Sequence, residues 1–194
     1  MNKFIEPLNI LMIDIETKDT KITAEIIEVA VVKTNARVTT DTMHYYLHST
    51  QTANKDFTCS PETLKFHSNN DTNVLENQLR ATIQGTSIAP AELIPILNKL
   101  TTWMPSDTIV YCYGLSFDIP IINHLAVVTN QELYLPSYRN LRCLRTEVAT
   151  AKSLGFKPND KLTAHNARDD CANQLGLLFS IFDFYKGLTN GTNN

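Results

Sequence analysis

Apolar and polar positions in the first quarter of the chain predict three successive strands. Residues 10–15 and 25–34 are apolar, β-branched runs, whereas residues 41–48 alternate between apolar and polar side chains. Consecutive strands with short connections favour antiparallel pairing. We therefore expect an antiparallel meander.

The rest of the chain is predicted to be mainly helical. Ser60 is expected to cap a helix that has Pro61 in its first position. Further helices are predicted over part of 73–84 and over 90–103, 117–128, 144–154 and 167–186, with one strand at 108–112. Strands first, followed by alternating strands and helices, indicate an α/β fold with a mixed central sheet flanked by helices.

The 194 residues are expected to form a single domain, 1–194, with a core over about 8–186 and a frayed tail at 187–194. No apolar run approaches the roughly 20 residues of a membrane span. Glu6 and Pro7 interrupt any signal-peptide core. We expect a cytoplasmic protein with no membrane partner, and the composition gives no indication of oligomeric state.

Charge and cysteine pattern narrow the classes of function. The net charge of −3 argues against a domain that holds nucleic acid through a basic surface alone. The four cysteines form no C-x-x-C pair, so neither a zinc knuckle nor a redox motif is indicated. Cys112 and Cys171 lie in apolar surroundings and are expected to be reduced core thiols.

Asp14 and Glu16 lie two residues apart at the end of the first predicted strand, which places both carboxylates on one face. Neighbouring carboxylates repel each other unless a cation lies between them, and divalent metals prefer such oxygen ligands. The pair therefore indicates a metal site. Alone, such a short pattern is better explained by a strand end followed by a solvated turn.

Two later segments add candidates of the same kind. Asp118 opens a predicted helix, where the helix dipole favours an acid with or without a catalytic role. His165 precedes the last helix and Asp170 lies in its first turn. A histidine can accept a proton from water near neutral pH. Alternatively, Asn166 caps this helix and its first acids only complement the dipole.

Together these segments resemble a known family. The sequences D-I-E-T at 14–17, S-F-D at 116–118 and H-N-A-R-D-D at 165–170 resemble the DEDDh 3′–5′ exonucleases of the ribonuclease-H-like superfamily. The H-x-A-x-x-D motif is complete, and Asn166 stands where the tyrosine variant of the family would need a tyrosine.

The resemblance is closer to the phage exonuclease A branch and its compact bacterial relatives. Its Ser-Pro-x-Thr helix start is found at 60–63, and its Arg-Thr pair at 145–146. Two features depart from the branch: Phe66-His67 replaces a tryptophan pair, and Cys143 replaces an acid. If the chain is phage-encoded, the host cytoplasm is its expected location.

The resemblance implies a ribonuclease-H-like sheet and a site for two Mg²⁺ ions, with Mn²⁺ able to substitute. Asp14 would bridge both ions, Glu16 and Asp170 would complete one site, and Asp118 would hold the other. His165 would deprotonate the attacking water. The partner would be a nucleic acid 3′ end, in single-stranded DNA or RNA or at a duplex end, releasing nucleoside 5′-monophosphates. DNA is modestly preferred, and RNA is the alternative.

Substrate contacts are predicted for Ile15, Thr17, Phe66, Phe117, His67 and Arg80. Ile15 and Thr17 would act through their backbone, as in the family, and Phe117 is also expected to be a core residue. Phe66 either stacks on a base or is a core aromatic. His67, Gln78 and Arg80 either contact phosphates or belong to a solvated helix face.

Two other classes of function compete with this interpretation. A catalytically inactive nucleic-acid-binding domain would be expected to lack one of the five site residues, and all five are present. A zinc hydrolase would need clustered histidines. Only His44 and His48 lie four residues apart, and on a strand that spacing separates them by about 13 Å.

Overall fold

A five-stranded mixed sheet forms the centre of the protein. The computed structural model describes residues 4–48, 55–69, 73–102, 104–158 and 165–190. The strands are β1 (Asn9–Thr17), β2 (Ile26–Asn35), β3 (Val38–Tyr46), β4 (Ile109–Cys112) and β5 (Leu141–Cys143), in the order β3-β2-β1-β4-β5. The first three pair antiparallel, whereas β4 lies parallel to β1 and β5 parallel to β4. The predicted fold class is confirmed.

Helices flank this sheet: α1 (Pro61–Asn69), α2 (Val74–Ile83), α3 (Pro90–Thr102), α4 (Asp118–Val128), α5 (Leu144–Ser153) and α6 (Ala167–Asn190). The backbone N–H of Thr63 donates to Ser60 Oγ at 3.3 Å, which confirms the predicted cap of α1. Helix α6 runs past residue 186, so 187–190 are helical rather than frayed, and 191–194 lie outside the described residues. None of the described helices has the length and apolar character needed to cross a bilayer.

Two hydrophobic clusters cover the two faces of the sheet. Ile13 and Ile15 of β1 pack in the cluster that includes α3 and α4, whereas Ile10 and Met12 pack in the cluster that includes α5 and α6. Since side chains alternate along a strand, Asp14 and Glu16 share the face of Ile10 and Met12. The apolar half of β1 thus anchors the strand, and its polar end emerges beside α6.

The two cysteines predicted to be core thiols are buried and free. Cys112 belongs to the first cluster and Cys171 to the second. Burial raises the pKa of both thiols well above the usual value, so both stay protonated.

Candidate active site

Three carboxylates meet at the C-terminal end of β1. Asp14 is 8% exposed and Glu16 is partly buried, while Asp170 reaches them from the first turn of α6. One carboxylate oxygen from each lies within 4.8 Å of the others. The register between β1 and β2 shifts between Glu16 and Thr17, and such bulges often re-aim side chains beside active sites. The geometry thus brings together residues that are far apart in the sequence.

Asp118 faces the same cavity from the opposite layer. It is the first residue of α4 and is 3% exposed. Its backbone N–H donates to the Gly114 carbonyl at 3.2 Å, and backbone groups of Asp118, Ile15 and Gly114 beside its carboxyl partly offset the rise in pKa that burial causes. The helix-terminus explanation and the active-site explanation of Asp118 are therefore compatible.

Burial makes this group of acids difficult to ionise. Desolvation and the charges of Asp118, Glu16 and Asp170 raise the pKa of Asp14 well above its ordinary value. Desolvation, then repulsion from Glu28, raises the pKa of Glu16 to about 8. Burial raises the pKa of Asp118 to about 7 and, although the charge of His165 opposes it, also raises that of Asp170. A bound divalent cation would favour the ionised forms, which fits this set of oxygen donors.

Gln174, which the sequence did not single out, orients one of these acids. It is 4% exposed on α6, one turn after Asp170, and its Nε2 donates to Asp14 Oδ1 at 2.8 Å. With Asp14 ionised, as a bound cation would keep it, the amide must face this way, because an ionised carboxylate can only accept. Its buried Oε1 has no hydrogen-bond partner among the described residues. An oxygen acceptor without a partner beside an acidic cavity is placed to accept a hydrogen bond from a water molecule bound to a cation.

His165 lies at the rim with a constrained backbone. Its φ is 71°, in the left-handed region, and its backbone N–H donates to Asp170 Oδ2 at 3.1 Å. Asn166 Oδ1 accepts from the backbone N–H of Asp169 at 3.1 Å, as the capping alternative predicted. The capping explanation and the active-site explanation are again compatible, because the Asn166 cap fixes the turn from which His165 projects.

Glu28 is a second residue that the sequence analysis missed. It lies opposite Glu16 on β2 and is fully buried. One carboxylate oxygen lies 2.6 Å from His44 Nε2, and the other accepts from the backbone N–H of Ala167 at 3.3 Å. Glu28 therefore ties the start of α6 to the sheet. The available signal was that Glu28 is the single charged residue in the apolar run 26–32.

A cavity of about 270 Å³ joins these groups. All five predicted catalytic residues line it, and so do two of the predicted substrate contacts, Ile15 and Phe117. Four residues that had not been predicted for the site also line it: Tyr113, Gly114, Arg145 and Gln174. Phe117 packs against the first cluster as well, in agreement with its expected core position.

Phe66 and His67 lie differently from each other, although they are adjacent on α1. Phe66 is 41% exposed, so the core alternative is wrong. Its ring stands edge-on to that of His165, with centroids 5.0 Å apart and planes at 85°. His67 is 5% exposed, and its Nε2 lies 2.9 Å from the carbonyl oxygen of Thr17. This burial contradicts a solvated face for His67 and does not support its predicted phosphate contact, because the ring is directed at the backbone.

The other predicted contacts lie away from the cavity lining. Thr17 is 4% exposed, and its Oγ1 donates to the carbonyl of Asp19 at 2.6 Å. Arg80 is exposed and forms a salt bridge with Glu76 at 2.8 Å, which agrees with the alternative that it belongs to a solvated helix face. Gln78 is buried and donates to the Leu47 carbonyl at 2.8 Å, which contradicts a solvated position. Contact of Thr17 and Arg80 with substrate stays a prediction.

Comparison with known protein families assigns the chain to one of them. The sequence model of the family described as the 3′–5′ exoribonuclease Rv2179c-like domain matches residues 9–182. The chain belongs to this Rv2179c-like family. The assignment places it in the class of enzyme predicted from the sequence, the 3′–5′ exonucleases.

Solved structures share the fold. Exonuclease I from Methylocaldum szegediense has a TM-score of 0.68 at 14% identity, over 94% of this chain and 43% of that one. E. coli exonuclease I in complex with a 5cy-dA13 oligonucleotide has a TM-score of 0.65 at 13% identity, over 94% of this chain and 43% of that one. Cell-death related nuclease 4 has a TM-score of 0.64 at 15% identity, over 95% of this chain and 64% of that one. This chain thus spans less than half the length of the exonuclease I chains. No curated protein sequence matches it significantly.

Proposed function

We propose that this Rv2179c-like protein is a divalent-metal-dependent 3′–5′ exonuclease that releases nucleoside 5′-monophosphates. The observation that carries the proposal is the convergence of Asp14, Glu16 and Asp170 within 4.8 Å. Asp118 and His165 line the same cavity. Family membership over residues 9–182 supports the direction of cleavage.

In the proposed reaction, His165 accepts a proton from the water that attacks phosphorus. A bond forms between that water oxygen and phosphorus as the bond to the 3′ oxygen of the preceding nucleotide breaks. Two Mg²⁺ or Mn²⁺ ions, held by Asp14, Glu16, Asp118 and Asp170, would stabilise the negative charge of the attacking and leaving oxygens. Phe66 supports the His165 ring, and Gln174 orients the carboxylate of Asp14.

RNA is the substrate that we favour, because the matching family model describes an exoribonuclease. DNA is the second candidate. It is supported by the likeness of 60–63 and 145–146 to the phage exonuclease A branch, and by the fold shared with exonuclease I bound to DNA oligonucleotides. The closer relationship to phage exonuclease A stays a prediction.

The test uses matched RNA and DNA oligonucleotides with a 5′ label, in Mg²⁺ and in Mn²⁺. We expect a ladder that shortens from the 3′ end, faster on RNA, and absent with Asp14→Asn. Asp41→Asn is the matched control, because Asp41 is exposed on β3 outside the site. Faster degradation of DNA would reverse the preference, and a ladder from Asp14→Asn equal to that of the unaltered protein would overturn the assignment.

A further inference from the structure

Arg145 lines the cavity and lies against two adjacent residues, Tyr113 and Gly114. Its guanidinium carbon is 5.1 Å from the centroid of the Tyr113 ring, and its backbone N–H donates to the Tyr113 carbonyl at 3.1 Å. A guanidinium nitrogen would lie 3.5 Å from a Cβ placed on Gly114, which is an ordinary van der Waals distance, so the cation lies directly beside this glycine. Stacking and close backbone approach together restrict where the cation can lie.

Among the described residues that line the cavity, Arg145 is the only lysine or arginine. It is exposed in the first turn of α5, where the helix dipole disfavours a cation. It makes no salt bridge within the described part of the chain, although its charge acts on Asp118. Helix stability and ion pairing therefore do not account for its position.

We propose that Arg145 binds a backbone phosphate of the substrate strand at the cavity. The inference rests on the proposed function and assigns a substrate contact that neither the five catalytic residues nor the predicted contacts include. A planar guanidinium offers paired donors to phosphate oxygens, and its stack on Tyr113 leaves its edge available to them. A chain with a net charge of −3 gains from placing a cation where the anionic strand enters.

Binding as a function of salt tests the contact. Affinity for a short fluorescein-labelled RNA would be measured by anisotropy over a series of NaCl concentrations, with Asp170→Asn in every protein to prevent hydrolysis. Arg145→Gln should weaken binding about tenfold or more. The slope of log affinity against log salt should become shallower by about 0.7, the value for one phosphate contact on a single strand. Arg145→Lys should keep the slope, because it keeps the charge.

Arg139 provides a matched control. Its guanidinium carbon lies 5.7 Å from the Tyr138 ring centroid, so it is also a stacked, exposed arginine, but it does not line the cavity. Arg139→Gln should leave affinity and slope unchanged. An unchanged slope in Arg145→Gln, or an equal loss in Arg139→Gln, would overturn the inference. If the protein with Asp170→Asn alone does not bind RNA, and the unaltered protein degrades neither RNA nor DNA, the proposed function is wrong. The inference about Arg145 is then wrong as well, because it rests on that function.

Discussion

Nε2 of Gln174 donates a 2.8 Å hydrogen bond to Oδ1 of Asp14, so an amide on α6 sets the orientation of an acid on β1. The family resemblance implies that Asp14 would bridge two cations, and its orientation would then affect both of their sites. Outer-sphere partners of this kind influence metal affinity without touching the metal.

Gln174→Met removes this bond while roughly keeping the side-chain volume. We expect apparent Mn²⁺ affinity or activity to fall about 10–100-fold, because the Asp14 carboxylate loses its fixed orientation. Mn²⁺ binding by calorimetry and the metal dependence of the rate would measure this. Asn173→Ala, on the exposed face of the same helix, is the control. Unaltered Mn²⁺ affinity and rate in Gln174→Met would show that the bond has no role in the site.

Phe66→Leu tests the edge-on contact with His165. We expect kcat to fall about two- to tenfold, because an aromatic pair contributes roughly 0.5–1.5 kcal/mol beyond simple burial. Phe66→Tyr keeps the ring and should keep the rate. Steady-state kinetics would separate this role from base stacking, which would raise KM instead. Ile83→Ala, an exposed apolar truncation on α2, controls for general surface effects.

Glu16 should make the metal-free protein less stable as pH rises. Its carboxyl titrates near 4.5 when unfolded and at about 8 when folded, so the folded state holds the extra proton between these values. The free energy of unfolding therefore falls as pH increases through that interval. Thermal melting in EDTA from pH 5 to pH 9 should reveal the decline, and Mn²⁺ should oppose it.

Glu16→Gln should weaken this pH dependence, because the amide carries no charge to bury. At pH 8 in EDTA we expect its Tm to exceed that of the unaltered protein by roughly 2–8 °C, equivalent to about 1–2 kcal/mol. Glu132→Gln, an exposed carboxylate outside the site, is the control. A Tm in EDTA that is lower in Glu16→Gln than in the unaltered protein would contradict the assumed repulsion.

Glu28→Ala should affect both stability and catalysis. It leaves the His44 ring and the Ala167 N–H without their buried acceptor, and we expect a loss of about 1–3 kcal/mol. The start of α6 should also become less fixed, which lowers kcat. Glu28→Gln can still accept from the Ala167 N–H through its carbonyl oxygen and donate its amide NH2 to His44 Nε2, which a neutral imidazole allows, so it should recover most of the rate. Urea unfolding and kcat would measure the two effects, and equal damage in both variants would mean that the charge rather than the bonding matters.

Local periodicity was sufficient to predict the parts of the site that lie close together in sequence. Strand alternation places Asp14 and Glu16 on one face, and the turn before α6 joins His165 to Asp170. Partners that depend on packing between distant elements were not accessible in this way. The contact of Phe66 with His165 depends on how α1 docks, and Gln174 looks like any polar residue on a helix. Strand β5 has three residues, too few to show a period.

The site also has a mechanical consequence. Asp14 and Glu16 belong to the sheet, Asp118 to a helix of one layer and Asp170 to a helix of the other. Cations held between these four side chains would link three layers whose apolar surfaces are otherwise separate. Loss of the cations would then loosen both sides of the sheet together, so that metal occupancy and cohesion between the layers become a single equilibrium.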